Sequence, residues 1–346
     1  MPTKNIPYYP LGKNGPRVPA LGFGLMDLSY RTYGSVPGEE ELLAVLDRAF
    51  ELGSIFWDTS DLYGDNEELV GKWFKRTGKR DQIFLATKFG YIKGSKTLET
   101  DSSAAYCKKA CERSLQALGI ESIDLYYLHN ANPETPIEET MRAMAELQAE
   151  GKIKHIGLST VSSATLRRAV KIAPVAAVQV EYSPFTRDIE GPAGTDLLAT
   201  CRELGVAVVV SSPLGRGLLT PTFSKGEDLS DSTDMRPKIM PRFQEANRDE
   251  NVKIISQFKT LAEKKGCTLP QLALAWLLKQ GNDIFPIPGT KSIKHLEDNW
   301  GALDVSPTDE EEAEIRAFAA GSELAGGFIP ASMRHIAFRD TKEESI

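Results

Sequence analysis

Residues 123–161, IDLYYLHNANPETPIEETMRAMAELQAEGKIKHIGLSTV, decide the fold class. The runs 123–130 and 155–161 are almost continuously apolar, as expected of strands that are buried on both faces. Between them, residues 137–150 carry apolar side chains at helical spacing, and Gly151 follows as a stop. A strand, a helix and a second strand in this order indicate a parallel pair joined by a right-handed crossover.

The same unit recurs about every 30 residues along the chain. Eight apolar runs are predicted to be strands, at 21–26, 54–60, 83–90, 123–130, 155–161, 176–182, 206–212 and 284–290. Helical patterns that each end at a glycine are predicted at 39–52, 102–118, 137–150, 196–204 and 251–265. Eight such units favour an α/β fold of the (β/α)8 TIM-barrel type over an open doubly wound sheet. No G-x-G-x-x-G follows an early strand, which weakens the Rossmann alternative.

Four segments fall outside this repeat. Residues 1–20 are expected to form a hairpin across the bottom of the barrel, and 270–279 and 307–319 are expected to be two extra helices. Residues 219–250, rich in Asp, Ser, Pro and Arg, predict a long loop after the seventh strand, and loops of that length usually act as lids or binding elements.

The chain has no linker and no low-complexity tract, so residues 1–346 are predicted to be a single barrel domain. Its core is expected over about 10–320, and the charged tail 334–346 is a candidate for disorder.

Charge and composition argue against several classes of partner. The chain has 41 lysines and arginines against 48 aspartates and glutamates, a formal net charge of −7. Nucleic-acid binders normally carry an excess of basic residues, and an anionic bilayer surface repels a negative chain. No apolar stretch approaches the roughly 18 residues of a membrane helix. We therefore expect a small-molecule partner, no nucleic acid and no membrane, while the oligomeric state stays open.

The cysteines and the first residues indicate a reduced, cytoplasmic setting. Four cysteines are too few for a disulfide scaffold, no C-x-x-C occurs, and no apolar signal segment follows Met1. The four histidines show neither H-x-H nor H-E-x-x-H spacing, so a metal-dependent lyase or hydrolase has little support and no metal is predicted.

Polar residues at the ends of consecutive predicted strands are the candidates for chemistry. Asp58, Lys88 and His129 interrupt largely apolar runs, and burying such groups is costly unless they are paired. In a barrel the carboxyl ends of all strands meet at one rim, so these side chains can share a pocket. Lys88 beside Asp58 is expected to stay charged and to lower the pKa of Tyr63. Tyr63 would then donate a proton to a developing alkoxide, assisted by an N–H of His129.

Each of these residues alone has a simpler interpretation. Asp58 could cap the next segment, Lys88 could extend to the rim, His129 could be a hydrogen-bonded core residue and Tyr63 could serve packing. Their joint occurrence at matching strand ends favours an active site.

Motifs spread over the chain resemble those of the aldo-keto reductases. The similar stretches are FWDTSDLYGDNE (56–67), ATK (86–88), DLYYLH (124–129), GKIKHIGLS (151–159), SPLGRG (212–217) and PIPGTK (286–291). The match runs in unbroken order from about residue 10 to 320 and looks closest to the pyridoxal-reductase-like and aryl-aldehyde-reducing branch.

The resemblance implies a TIM barrel that binds NADP(H) in an extended form. It implies a catalytic tetrad of Asp58, Tyr63, Lys88 and His129. The implied cofactor-binding residues are Gly24, Met26, Asp58, Ser159, Gln179, Ser211, Pro213, Leu214, Gly215, Arg216, Gly217, Gly289, Thr290, Lys291, His295, Asp298 and Asn299. Among them, Ser159 and Gln179 would hold the nicotinamide carboxamide, and Asp298 and Asn299 the adenine.

Within the resemblance, Thr290, Lys291 and His295 fall where the family binds the adenosine 2′-phosphate. Lys291 and His295 are four residues apart at the start of a helix, where both can face one anion that the helix N-terminus also stabilises. This favours NADP over NAD. The alternative is that Lys291 and Lys294 belong to an ordinary solvated face.

Three positions depart from the family pattern. Thr160 stands where relatives usually have Asn or Glu, and Ser211 stands where an aromatic ring often stacks on the nicotinamide, with Tyr182 as a candidate replacement. Asn130 follows His129, unlike in many relatives, and is expected at the substrate carbonyl. Trp57 is a second candidate for the substrate site.

The sequence thus predicts an NADPH-dependent oxidoreductase that reduces an aldehyde or ketone, with Tyr63 as the general acid. The alternative is a cofactor-sensing partner protein like the potassium-channel β-subunits, which share the fold and the tetrad.

Overall fold

A computed structural model describes residues 6–30, 32–95, 97–226 and 231–344. Its strands are β1 (Tyr8–Pro10), β2 (Arg17–Pro19), β3 (Phe23–Gly24), β4 (Phe56–Asp58), β5 (Phe84–Phe89), β6 (Ile123–Leu128), β7 (Ile153–Ser159), β8 (Ala177–Glu181), β9 (Ala207–Ser211) and β10 (Ile284–Pro286). Strands β3 to β10 lie side by side in chain order and pair in parallel. All eight predicted barrel strands are therefore confirmed.

The first and last of these strands meet and close the barrel. Gly24 forms a parallel bridge with Gly289, and the Gly22 N–H donates to the Pro286 carbonyl at 2.9 Å. A Cβ at Gly24 would lie 2.7 Å from the Ile287 carbonyl oxygen. Glycine at this position therefore allows the two strands to come close enough to pair.

Helices surround the barrel. They are α1 (Glu39–Glu51), α2 (Asn66–Thr77), α3 (Ala104–Leu118), α4 (Ile137–Ala149), α5 (Ser163–Ala169), α6 (Leu197–Leu204), α7 (Pro221–Ser224), α8 (Arg236–Ile239), α9 (Glu245–Lys265), α10 (Leu269–Lys279), α11 (Ile293–Trp300) and α12 (Asp309–Gly321). The two predicted extra helices are present as α10 and α12. The predicted hairpin is present as the antiparallel pair β1 and β2, and residues 1–5 of that prediction lie outside the described residues.

Side-chain alternation along the strands creates two separate apolar regions. Inward-facing residues of the barrel form one buried cluster, which the hairpin residues Leu11 and Val18 cover at the bottom. Its members from the strands include Phe56, Ala86, Leu125, Tyr127, Ala177, Ala207, Val209 and Phe285. Residues one position before or after these face the helices and pack into a larger cluster.

The connection after β9 is more structured than the sequence predicts. A long loop was expected over 219–250, whereas the described part contains α7 and α8, and α9 begins at Glu245 instead of residue 251. Residues 245–250 (EANRDE) carry almost no apolar side chains, so hydrophobic periodicity does not mark this first turn of α9. Residues 227–230 of the expected loop lie outside the described residues.

The charged tail is docked rather than disordered over its described residues, 334–344. The Arg339 N–H donates to the Thr160 carbonyl at 2.8 Å, and the Arg339 carbonyl accepts from the Ser162 N–H at 3.0 Å. The Arg168 guanidinium holds the Thr341 and Lys342 carbonyls at 2.7 Å each. The tail therefore lies along the carboxyl ends of β6 and β7, while residues 345 and 346 are outside the described part.

Among the described helices, none combines the length and apolarity needed to cross a membrane. Three of the four cysteines are buried, and all four are free thiols.

Gly157 provides a test of packing inside the barrel. A Cβ at this position would lie 2.3 Å from the ring of the fully buried Tyr127. Because neither strand can move independently, we expect Gly157→Ala to lower the free energy of unfolding by about 1–3 kcal/mol. Urea unfolding measures this. Gly321→Ala is the control, since Gly321 ends α12 with open space around its Cα and should be neutral or slightly stabilising. Equal stability of Gly157→Ala and the parent would contradict this account of the interior.

Candidate active site

The inward register of the strands brings the predicted site residues together at the carboxyl rim. Asp58 is two residues after Phe56 on β4, Lys88 two after Ala86 on β5, and His129 two after Tyr127 at the end of β6. Ser159, Gln179 and Ser211 end the same inward register on β7, β8 and β9. Because parallel strands start and end at the same faces, these side chains lie above the apolar interior on one side of the barrel.

A buried ion pair lies at the centre of this group. The Lys88 ammonium, with 0% exposure, donates to an oxygen of Asp58, whose side chain is 3% exposed. Lys88 also donates to the Thr59 carbonyl at 2.8 Å, and the Gln179 amide donates to the second Asp58 oxygen at 2.7 Å. Burial raises the pKa of Asp58 and lowers that of Lys88, and each partner opposes the shift of the other. The pair satisfies two charges that neither strand could bury alone.

Tyr63 is positioned by a turn between β4 and α2. Gly64 takes a φ of 66°, and Asn66 fixes the start of α2 by donating to the Leu25 carbonyl at 2.8 Å and accepting from Thr59 Oγ1 at 2.6 Å. The Lys88 Nζ lies 5.2 Å from the centre of the Tyr63 ring. The polar residues after Tyr63 in the motif thus hold the phenol over the ion pair.

His129 stands beside Tyr63, with ring centres 5.8 Å apart and planes at 89°. Its Nδ1 lies 3.0 Å from Ser60 Oγ, and its backbone N–H donates to the Phe89 carbonyl at 2.6 Å. Burial, followed by the charge of Lys88, lowers the pKa of His129 well below its usual range, so the imidazole is neutral at physiological pH.

The pKa of Tyr63 differs from the sequence-based expectation. Lys88 was expected to lower it, but burial raises it and the negative charge of Asp58 raises it further. Lys88 is already bound to Asp58, so its charge is largely compensated at the phenol. Tyr63 is therefore protonated at neutral pH, which is the state that a proton donor needs.

A cavity of about 1050 Å³ opens above these residues and continues along the rim. It is lined by Asp58, Tyr63, His129, Asn130 and by most residues implied for the cofactor, namely Gly24, Met26, Ser159, Gln179, Ser211, Pro213, Leu214, Arg216, Gly217, Gly289, Thr290, Lys291, His295, Asp298 and Asn299. Two implied residues do not line the cavity. Lys88 is fully buried beneath it, and Gly215 belongs to the backbone turn beside it.

The turn after β9 lies at the middle of this cavity. Gly215, Arg216 and Gly217 have φ values of 58°, 60° and 95°, which makes a tight turn that exposes backbone. The Arg216 guanidinium is anchored on Glu181 at 3.1 Å, and the Arg216 carbonyl accepts from Arg236 at 3.0 Å. The arrangement is a backbone cradle bordered by cationic side chains, as anion-binding turns require.

Cationic groups also gather where α11 begins. Lys294 and His295 are exposed at the cavity edge, and Lys291 is partly buried beside them. The Lys291 ammonium donates to the Tyr33 and Ser35 carbonyls at 2.9 and 2.5 Å, which leaves one of its three protons for an anion. The structure thus places Lys291 and His295 on one cavity edge, together with Lys294.

Two aromatic candidates, Trp57 and Tyr182, lie away from the cavity. Trp57 is an outward-facing core residue whose ring packs 4.7 Å from that of Trp73, so its predicted substrate role is wrong. Side chains alternate along a strand, so Trp57, the neighbour of the inward-facing Asp58 on β4, faces the helices. Tyr182 packs on Trp276 and donates to Glu190 at 2.5 Å, so it does not replace the ring missing at Ser211.

The structure adds cavity residues from outside the strand motifs. Tyr30, Tyr91 and Phe338 form an aromatic wall beside the Tyr63–His129 pair, and Phe338 comes from the docked tail. Asp27 and Arg236 also line the cavity, and burial raises the pKa of Asp27 to about 6 against the charges of Lys291 and Arg236. The tail and the loop that carries Arg236 are far from the strand motifs in sequence, so only the folded chain reveals them.

Asn130 is held by its amide protons. They bind Thr160 Oγ1 at 2.9 Å and the Ile336 carbonyl at 3.0 Å, while its buried Oδ1 has no partner among the described residues. The atom left for a ligand is an acceptor. Asn130 therefore suits a ligand N–H or O–H and not, as expected, a substrate carbonyl.

Comparison with known proteins agrees with the resemblance to the aldo-keto reductases. Residues 20–320 match the sequence profile described as the aldo/keto reductase family. The aldo-keto reductase yakc of Schizosaccharomyces pombe, whose name specifies NADP(+), is 45% identical over 341 residues, 97% of this chain and 98% of its own. The aldo-keto reductase str7 of Strobilurus tenacellus is 47% identical over 313 residues, 89% and 91% of the two chains.

Solved structures agree with this match. The glycerol dehydrogenase of Gluconobacter oxydans superposes with a TM-score of 0.77 at 26% identity, covering 93% of this chain and 97% of its own. A thermostable aldo-keto reductase solved with the inhibitor epalrestat gives a TM-score of 0.71 at 28% identity, covering 90% and 100%.

Asp61 generates a pH prediction for this region. Its carboxylate is 2% exposed and forms an ion pair with the Arg113 guanidinium at 3.7 Å, and burial, followed by the charge of Glu67, raises its pKa from 3.8 to about 7. The folded chain therefore keeps a proton that the unfolded chain releases, so this group makes the free energy of unfolding fall as pH rises from 3.8 to about 7. We expect Asp61→Asn to flatten this fall and to stabilise the protein at about pH 8 by roughly 1–3 kcal/mol.

Urea unfolding across this pH range checks the prediction. Asp249→Asn, which removes the same charge at an exposed position, is the control and should leave the profile unchanged. A stabilisation by Asp61→Asn that is equal at all pH values would contradict the assignment to ionisation.

Proposed function

The chain belongs to the aldo/keto reductase family, and we propose that it reduces an aldehyde or ketone to the alcohol with NADPH, using Tyr63 as the general acid. The observation that carries the proposal is the position of Tyr63 and His129, side by side on the cavity and directly above the Asp58–Lys88 ion pair. A proton donor and a neutral hydrogen-bond donor at one point are the groups that a developing alkoxide needs.

The cavity fits the cofactor named for the yakc relative. The turn Gly215–Gly217 provides a backbone cradle for a pyrophosphate, and Ser159 and Gln179 provide polar groups for a carboxamide. Asn130 Oδ1 is a buried acceptor without a protein partner among the described residues. It can bind the carboxamide N–H in place of the longer Asn or Glu side chain that relatives usually have at the position of Thr160. The carboxamide end of the cavity is bordered by Gly24, Met26 and Ser211. The adenosine end is bordered by Thr290, Asp298 and Asn299.

NADPH, when bound, supplies the hydride that reduces the carbonyl carbon. Tyr63 donates its phenolic proton to the carbonyl oxygen, so the aldehyde or ketone gains one hydride and one proton in total. His129 orients the oxygen and stabilises its negative charge with a ring N–H. The Lys88–Asp58 ion pair lies directly beneath Tyr63 and holds the phenol in place, and solvent restores the proton after each turnover.

The residues beside Tyr63 and His129 support a proposal for the class of substrate. Tyr30 and Tyr91 flank the site, with ring centres 6.0 Å from Tyr63 and 5.1 Å from His129, and Ile336 and Phe338 complete an apolar surface. Such walls favour an aromatic or apolar carbonyl compound over a charged one. The assignment to the pyridoxal-reductase-like or aryl-aldehyde-reducing branch stays a prediction.

Removing the phenolic hydroxyl tests the role of Tyr63. We expect Tyr63→Phe to lower kcat for 4-nitrobenzaldehyde by about 10²–10⁴-fold, because the alkoxide loses its proton donor. Binding of NADPH, followed by quenching of tryptophan fluorescence, should stay within about twofold of the parent, since a hydroxyl is removed without a change in ring packing. Absorbance decay of NADPH measures the turnover.

Tyr126→Phe is the matched control. Tyr126 is fully buried between barrel and helices, and its hydroxyl has no partner among the described residues, so turnover should be unchanged. Full activity of Tyr63→Phe would exclude Tyr63 as the acid. NADPH binding by the parent without turnover of any carbonyl would favour the cofactor-sensing alternative.

The cations at the start of α11 predict the choice of cofactor. We propose that Lys291, His295 and Lys294 bind the 2′-phosphate that only NADPH carries, at a helix N-terminus that also favours the anion. Lys291→Ala should raise the Kd of NADPH about tenfold, the equivalent of one charged hydrogen bond. The Kd of NADH should not change.

Fluorescence titration with both cofactors measures the difference. Lys264→Ala removes the same charge from an exposed position on α9 and should affect neither Kd. An equal loss of NADPH and NADH affinity in Lys291→Ala would mean that Lys291 only anchors the Tyr33–Ser35 segment.

A further inference from the structure

Ser60 contacts the ring of His129 from the interior side. It follows β4 in the inward register, two residues after Asp58, and it is 1% exposed. Its Oγ lies 3.0 Å from His129 Nδ1. The opposite ring nitrogen, Nε2, has no hydrogen-bond partner among the described residues, and His129 lines the cavity. The serine and the cavity therefore face the two different nitrogens of one imidazole.

The surroundings of Ser60 determine where its single hydroxyl proton goes. The Leu62 N–H donates to Oγ at 3.2 Å and accepts nothing in return. The two possible acceptors are His129 Nδ1 at 3.0 Å and the Lys88 carbonyl oxygen at 3.5 Å. A contact of 3.5 Å is at the limit of a hydrogen bond, so Nδ1 is the better placed of the two acceptors for the hydroxyl proton.

A neutral imidazole has one N–H, and the accepting nitrogen cannot be the one that carries it. Since burial and Lys88 keep His129 neutral, a hydrogen bond from Ser60 to Nδ1 leaves the ring proton on Nε2. That proton then faces the cavity.

We propose that Ser60 is a positioning residue that fixes His129 in the tautomer with its proton on Nε2. The tautomer follows from the contacts of Ser60 and from the neutral state of His129, whereas its consequence for the reaction rests on the function proposed above. In this tautomer Nε2–H donates to the carbonyl oxygen that Tyr63 protonates. The other tautomer would turn a lone pair toward an oxygen that gains negative charge, which is repulsive.

Nitrogen-15 NMR of the histidine rings tests the tautomer without cofactor or substrate. The chain has only four histidines, so the His129 signals can be assigned by their loss in His129→Gln. In the parent we expect a protonated Nε2 and an unprotonated Nδ1. In Ser60→Ala, where Nδ1 loses its donor, we expect a shift of population toward the tautomer protonated on Nδ1.

Ser54→Ala is the matched control. Ser54 precedes the same strand, is fully buried, and its hydroxyl has no partner among the described residues, so the His129 signals should stay as in the parent. A parent protonated on Nδ1 would overturn the proposal. So would a parent protonated on Nε2 whose tautomer is unchanged in Ser60→Ala.

Kinetics provide a second readout. Ser60→Ala should lower kcat for 4-nitrobenzaldehyde about tenfold with little change in KM, since the hydrogen bond acts mainly as charge develops on the oxygen. Ser60→Thr retains the hydroxyl and should restore both the tautomer and most of kcat. A kcat of Ser60→Ala equal to that of Ser54→Ala would overturn the catalytic consequence. Absence of turnover in the parent would instead defeat the proposed function and leave the NMR result standing.

Discussion

The buried ion pair between Asp58 and Lys88 is the interaction on which the site depends. Either charge alone inside the barrel would cost several kcal/mol, so each strand end is stable only because the neighbouring strand supplies its partner. The pair also recruits Gln179 from across the barrel and the Thr59 carbonyl from its own rim. Three strands, β4, β5 and β8, are thereby joined above the apolar interior. Short turns then place Tyr63 and His129 above the Asp58–Lys88 ion pair.

The barrel interior divides into an apolar lower part and a polar upper part. Phe56, Tyr127 and Val209 fill the lower part, and the next inward positions after them are the polar residues Asp58, His129 and Ser211. This division explains how one fold provides both stability and chemistry. The apolar layers hold the strands in register, and the register fixes where the polar side chains meet. The docked tail and the loop after β9 then form walls that the strands cannot provide.

The sequence predicts the parts of this structure that depend on short-range patterns. Buried strands and amphipathic helices produce periodic patterns of apolar residues in the sequence, and Asp58, Lys88 and His129 interrupt apolar runs at matching positions. The start of α9 has no such period, so apolar periodicity does not predict it, and the outward register of Trp57 next to Asp58 conflicts with the substrate role predicted for it. The raised pKa of Tyr63 depends on burial and on the pairing of Lys88, and the docked tail depends on Arg168 and Arg339. These are long-range properties that local patterns do not contain.

The most direct test of the central claim is to follow the hydride itself. NADPH carrying deuterium at the transferable position would be mixed with the protein and 4-nitrobenzaldehyde, and the product alcohol analysed by mass spectrometry. We expect the alcohol to gain one deuterium at the former carbonyl carbon, and we expect Lys88→Met, which leaves Asp58 without its partner, to form almost no labelled alcohol. An unlabelled alcohol, or equal labelling by the Lys88→Met variant, would contradict this claim.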